Sequence, residues 1–246
     1  MPRRVRTAFL TLVVTAAVAP SGVAAAADVR PLGASGPLGT ERLSDEETIT
    51  RLANPVDLGR IYARPSVRSA KRGRLHLETE DGVHEIYLVL RSRVVRGQTW
   101  LQIRIPKRPN GRTGWVKRDM LGPLKTLRTF LKVDRSRLRA TLYRGGKKIW
   151  SSPVGVGAPS TPTPAGRFWI RERLRSLGGA YGPWAFGTAA YSRLSDWPGG
   201  GVVGIHGTNQ PELIPGRPSH GCVRVPNWKI VQLKKLMPVG TPVRIV

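Results

Sequence analysis

The stretch IHGTNQPELIPGRPSHGCVRVPN, residues 205–227, holds the only cysteine of the 246-residue chain, Cys222, and two of its four histidines, His206 and His220. Gly207, Gly216 and Gly221 lie among them, and Arg224 follows the thiol by two positions. A lone thiol beside imidazoles and glycines is what nucleophilic acyl chemistry needs. The thiolate attacks, a histidine lowers the thiol pKa or takes its proton, and glycine lets backbone N–H groups approach a developing oxyanion. The apolar run Val202-Val203-Gly204-Ile205 reads as a short strand delivering His206 at its end. If residues 221–225 are extended, His220 and Cys222 project to the same face.

On the residues alone, Cys222 is the nucleophile, either imidazole is a candidate base, and the N–H groups of Gly221 and Cys222 are candidate oxyanion donors. Arg224 suits a substrate carboxylate held bidentately, or equally a structural pairing inside the site. Ser219 reads as a local hydrogen-bonding residue, because a thiol sits three residues on. No histidine follows Cys222, which disfavours a papain-like thiol hydrolase with its base downstream. One rival is a zinc site made by His206, His220 and Cys222, with water as the fourth ligand. Neither the usual spacing nor an acidic general base accompanies it. His76 and His84 read as surface residues, without a metal-spaced cluster of Cys, Asp or Glu around them.

Working outward, the composition is globular, with 40% hydrophobic residues. Gly 28 and Pro 21 favour a turn-rich β fold over a helical bundle. The net charge of +26 favours a polyanionic partner, or else reflects a generally basic proteome. Beyond residue 126, 19 Lys and Arg face four acids, Asp134, Glu172, Asp196 and Glu212. Arg3, Arg4 and Arg6, then an apolar run over residues 8–20 and Ala25-Ala26-Ala27, read as a secretory signal peptide ending at residue 27. An uncleaved anchor is the alternative. Export disfavours nucleic acid as the polyanion, and aromatics interleaved with basic residues at stacking spacing are missing. It also makes an unpaired thiol notable, since extracellular cysteines usually pair.

Residues 28–54 read as a linker, with a short helix near Asp45 to Ala53. Residues 55–122 read as a small β unit. Ile86, Leu88 and Leu90 alternate with Tyr87 and Val89, Leu101, Ile103 and Ile105 alternate with Gln102 and Arg104, and Asn110-Gly111 turns the chain into Gly114-Trp115-Val116. This order resembles a bacterial SH3-like barrel. From Leu127 the pattern is β again: residues 130–134, the alternation of Leu138, Ala140 and Leu142, then Gly145-Gly146 and Ile149-Trp150. Residues 178–201 carry few strand signals and read as a lid or substrate wall. Pro226 and Asn227 open a helix with Trp228, Val231 and Leu236 as its buried face, and Val243 and Ile245 make a closing strand.

His206, twelve residues, then Ser219-His220-Gly221-Cys222-Val223-Arg224 resembles the signature of the L,D-transpeptidase family, the YkuD-type catalytic domain. Thr163-Pro164-Ala165-Gly166, Gly182-Pro183-Trp184 and Ala190-Tyr191-Ser192 add to the resemblance, which covers residues 126–246. It implies a mainly β fold: an L,D-transpeptidase-type β-sandwich catalytic domain preceded by the SH3-like barrel. It further implies a secreted or periplasmic, wall-associated enzyme that needs no cofactor and no metal. Its cysteine attacks a peptidoglycan stem tetrapeptide, releases D-alanine and passes the acyl group to an amine. The resemblance favours His206 as proton acceptor, with His220 assisting, and Arg224, Tyr191 and Ser219 as substrate-binding residues. Some members carry Ser after the first histidine; here Gly207 leaves a backbone carbonyl to orient the imidazole. The expected partners are stem peptides and anionic wall polymers, with peripheral envelope contact, no nucleic acid and a monomeric chain. Carbapenems are expected inhibitors, and residues 55–122 are expected to position the enzyme without joining the chemistry. A non-catalytic wall-binding protein is the rival from another class.

Overall fold

Ile86, Tyr87, Leu88 and Val89 are all buried, although they follow one another into and along a single strand. Successive side chains on a strand point to opposite faces, so this strand is covered on both sides. Tyr87 and Val89 face a core with Ile61, Leu75, Leu101, Ile103 and Val116. Ile86 and Leu88 face the other way, against Leu52, Trp169 and Ala189. The second face is where the two halves of the chain meet. The computed structural model describes residues 39–175, 178–196 and 198–246. The expected signal peptide, residues 1–27, lies outside them.

The first half contributes β1 (Thr40–Arg42), β2 (Thr50–Ala53), β3 (Arg60–Tyr62), β4 (Lys71–Arg74), β5 (Tyr87–Val95), β6 (Gln98–Arg104), β7 (Thr113–Lys117) and β8 (Lys125–Leu127). They form one sheet in the order β4-β3-β7-β6-β5-β2-β8, with β1 also on β5. The span expected to be linker therefore supplies two strands from Thr40 onward. Its expected helix is a turn followed by a strand. The Asp45 carboxylate accepts the N–H groups of Glu47, Thr48 and Ile49, a local bond pattern that competes with helix formation. Residues 50–53 then pair with both β5 and β8.

The second half contributes β9 (Thr129–Asp134), β10 (Arg139–Arg144), β11 (Lys147–Pro153), β12 (Gly155–Gly157), β13 (Gly166–Arg175), β14 (Trp184–Tyr191), β15 (Val202–His206), β16 (Gly216–Ser219), β17 (Val223–Arg224), the helix α1 (Asn227–Leu236) and β18 (Pro242–Ile245). Their order is β11-β10-β9-β18-β13-β14-β15-β17-β12-β16. The protein is mainly β, as expected. β18 runs parallel to β9 and antiparallel to β13, so a late stretch of chain fills the middle of the sheet. Leu131, Leu142, Phe168, Ile170, Phe186, Ile205, Val223, Ile230 and Leu233 are among the core residues.

Two expectations shift here. The stretch 178–201 contains the eight-residue strand β14, which is central in the sheet. Its small residues, Ala185, Gly187, Ala189 and Ala190, have weak strand propensity, and neighbours on both sides hold it extended. On α1 the buried residues are Ile230 and Leu233, while Trp228 stands 63% exposed with the Lys229 ammonium over its ring. No helix among the described residues is long and apolar enough to cross a membrane.

The halves share more than apolar surface. Arg171 on β13 is buried and pairs with Glu85, itself fully buried, and with Glu80 at 2.8 Å. The Trp169 indole N–H donates to the Ile86 carbonyl at 2.8 Å. Thr79 donates to the buried Glu172 at 2.5 Å. Burial pushes the Glu172 carboxyl up, against the Thr79 hydrogen bond.

Candidate active site

β15 and β17 lie side by side in parallel, with Ile205 opposite Val223 and His206 opposite Arg224. This register brings the end of one strand next to the loop that carries the thiol. Ser219, His220, Cys222, Arg224 and His206 line one cleft with Ala180, Tyr181, Ser192, Val202 and Val203. The structure thus gathers Cys222, His206, His220, Ser219 and Arg224. Tyr191 does not line that cleft. Its hydroxyl donates to the Pro106 carbonyl at 3.0 Å, on the side of the first sheet.

Gly221 precedes the cysteine with φ +127°, a conformation that side chains disfavour. A Cβ there would stand 3.0 Å from the Ser192 Cβ. The loop is tied by Ser219, whose hydroxyl donates to the Cys222 carbonyl at 2.6 Å and accepts the Gly221 N–H at 3.2 Å. The Gly221 N–H is therefore engaged inside the loop in this state.

His206 is buried. Its Nδ1 lies 2.6 Å from the Gly207 carbonyl. A carbonyl only accepts, so Nδ1 carries the proton and Nε2 is left basic. Gly207 is fixed in turn by close packing, since a Cβ there would meet the Asn227 Oδ1 at 2.4 Å and the Gly182 Cα at 3.0 Å. Asn227 Oδ1 also accepts the Thr208 N–H at 2.8 Å. The Tyr181 ring covers the imidazole, with centroids 4.8 Å apart.

The Cys222 sulfur accepts the Gly204 N–H at 3.4 Å. The position of a Gly204 Cβ would lie 3.8 Å from that sulfur and 3.5 Å from the His206 Cδ2, so thiol and imidazole flank one small residue. Burial pushes the His206 pKa down to about 4, against the Gly207 hydrogen bond, and Arg224 adds to the fall. Burial pushes the Cys222 thiol up, opposed by the Gly204 N–H and by Arg224. Both shifts favour the neutral forms, which suits general-base activation more than a preformed ion pair. Arg224 donates to the Gln210 side-chain oxygen at 2.9 Å. The described residues bring no three of His, Cys, Asp and Glu into a group able to hold a metal ion.

The chain matches the family model of the YkuD L,D-transpeptidase catalytic domain over residues 128–245. Residues 128–245 form an L,D-transpeptidase catalytic domain of the YkuD family. The chain is 36% identical over 105 residues to YkuD of Bacillus subtilis, covering 43% of this chain and 58% of that protein. It is 36% identical over 104 residues to YkuD of Bacillus licheniformis, covering 42% and 57%. The chain thus spans less than two thirds of the length of these curated relatives. Among solved structures, the catalytic domain of the Enterococcus faecium L,D-transpeptidase aligns at 27% identity and TM-score 0.39, over 48% of this chain and 96% of that one.

Within the L,D-transpeptidase domain, sequence reasoning missed Gly204, Tyr181 and Asn227. Gly204 carried a signal: a glycine two positions before a histidine on one strand leaves open the face that the histidine uses. Tyr181 and Asn227 reach the site through tertiary packing, and nothing local marks them.

Proposed function

We propose that this chain is a peptidoglycan L,D-transpeptidase that works through a Cys222 thioester. The observation that carries the reading is the pairing around Gly204: a buried imidazole held by the Gly207 carbonyl with Nε2 basic, beside a sulfur that accepts a backbone N–H. His206 takes the Cys222 proton as sulfur attacks the carbonyl between the L- and D-configured residues of a stem tetrapeptide. The Cys222 N–H stabilises the oxyanion, joined by the Gly221 N–H as it turns away from Ser219. The imidazolium returns its proton to the departing D-alanine amine, leaving the thioester. An acceptor amine then attacks and gives its proton to His206, and the imidazolium passes it to the departing sulfur, restoring the thiol. His220 assists from the exposed side of the cleft, and Arg224 attracts a substrate carboxylate.

The location that fits this reading is the exported, wall-associated one suggested by residues 1–27. The net charge of +26 supports attraction to anionic wall polymers. Mature protein incubated with wall fragments should release D-alanine and form a new cross-link, both read by mass spectrometry. Cys222→Ala should abolish both, and EDTA should leave both intact. Loss of activity in EDTA with rescue by zinc, or reaction with pentapeptide donors alone, would overturn the assignment.

A further inference from the structure

The cleft wall opposite the thiol is held from outside the transpeptidase domain. Ser192 lines the cleft and touches the space above Gly221, next to the nucleophile. Its N–H donates to the Gly201 carbonyl at 2.8 Å, closing a loop between β14 and β15. Arg108, between β6 and β7 of the first sheet, reaches across and donates to three of the loop's carbonyls: Gly200 at 2.8 Å, Ser192 at 3.0 Å and Leu194 at 3.1 Å. The guanidinium carbon stands 4.8 Å from the centroid of the Tyr191 ring. Asn110 pairs with the Tyr191 backbone in both directions, donating to its carbonyl at 2.8 Å and accepting its N–H at 3.0 Å. Asn110 thus acts as one more strand partner at the end of β14.

A planar fork with several donors can hold three carbonyls in one arrangement, which a lysine ammonium on a flexible stem does not reproduce. From Arg108 the path to the thiol is short: Ser192, then Gly221, whose hypothetical Cβ lies 3.0 Å from Ser192, then Cys222. We propose that Arg108 and Asn110 are positioning residues for the acyl transfer, and that the first sheet is thereby part of the enzyme and not merely a carrier for it. This rests on the function proposed above. The expectation that residues 55–122 take no part in catalysis is replaced by this one.

The test uses the full mature chain with Arg108→Ala, Arg108→Lys, Asn110→Ala and, as a control on the exposed β4, Lys71→Ala. In folded protein with thermal midpoints near wild type, Arg108→Ala should lower kcat for D-alanine release about tenfold to a hundredfold, as a small misplacement of reacting groups does. KM should stay within about twofold. Alkylation of Cys222 by iodoacetamide, which needs a thiolate but no oriented carbonyl, should stay within about threefold. Arg108→Lys should not restore the rate, and Lys71→Ala should match wild type. Equal losses of stability, alkylation and turnover would mean a structural role only, and full rescue by Arg108→Lys would remove the fork geometry from the argument; either overturns the proposal. Should the wild-type protein turn over no donor, the function reading fails, and positioning is then read by amide hydrogen exchange. Peptides covering residues 191–206 and 219–225 should exchange faster in Arg108→Ala than in wild type. Unchanged exchange there in a folded variant would sink the proposal on its own.

Discussion

His206 and Cys222 are each pushed by burial toward the neutral form. In the proposed mechanism they react by handing a proton across when a substrate arrives. A carbapenem tests this at the residue scale: one adduct per chain is expected, mapped to Cys222. His206→Ala should slow its formation by about two orders of magnitude, the size of a general-base contribution. Equal rates with and without His206, with loss on His220→Ala, would transfer the base role to His220. The same burial has a consequence for folding. His206 titrates near 4 when folded and near 6.5 when exposed, so between these values the unfolded chain binds the extra proton. The contribution is complete above pH 6.5 and is lost as pH falls toward 4, reaching roughly 3 kcal/mol for a shift of this size. Unfolding free energy measured against pH should have a shallower slope across that window in His206→Gln. Matching slopes would mean that the histidine is not buried neutral.

At the scale of elements, the register of β15 on β17 makes the site. The sequence carried half of that: Val202 to Ile205 reads as a strand ending at His206, and Val223 is apolar after the thiol. The parallel pairing between them was not legible, because it depends on the intervening chain leaving to form β16 at the sheet edge. β14 was hidden for a related reason, its small residues being extended only by their neighbours. The helix was legible but its phase was not, since Trp228 looks like an anchor and the core takes Ile230 and Leu233 instead. The turn after β15 gives a sharp prediction. Gly207→Ser places a Cβ against Asn227 and Gly182 and forces their separation. Overpacking of this kind costs about 1–3 kcal/mol. It should also weaken the Gly207 carbonyl's hold on Nδ1, so kcat should fall while KM changes little. A variant as stable and active as wild type would show that the turn has slack.

Considered whole, the two sheets are joined through polar contacts that sequence could not announce. Nothing local in the sequence marks Arg171, Glu80 and Glu85, and only the fold shows Glu85 and Arg171 closed off from water. Breaking a buried pair from one side typically costs about 3–5 kcal/mol, because the remaining charge is left uncompensated. Glu85→Ala should therefore lower stability by that amount in denaturant titrations, and Glu85→Gln by less. A loss below about 1 kcal/mol would place the pair in contact with water. A chain beginning at residue 124 would lack Glu85 and the apolar cover that Leu52, Ile86 and Leu88 give Trp169. It should be recovered aggregated, or folded with Trp169 fluorescence shifted to the red.

The placement of β18 sets an order of events. Residues 242–245 lie between β9 and β13, more than a hundred positions after the first of these partners. The ten-stranded sheet stays open along its middle until this late segment arrives, and pairing of such long range is slow. An emerging chain therefore has its thiol strand before it has the scaffold that aims it. On the export route proposed above, a chain threaded from its front end would remain inert until nearly all of it had crossed. The proposed chemistry would then switch on only on the far side.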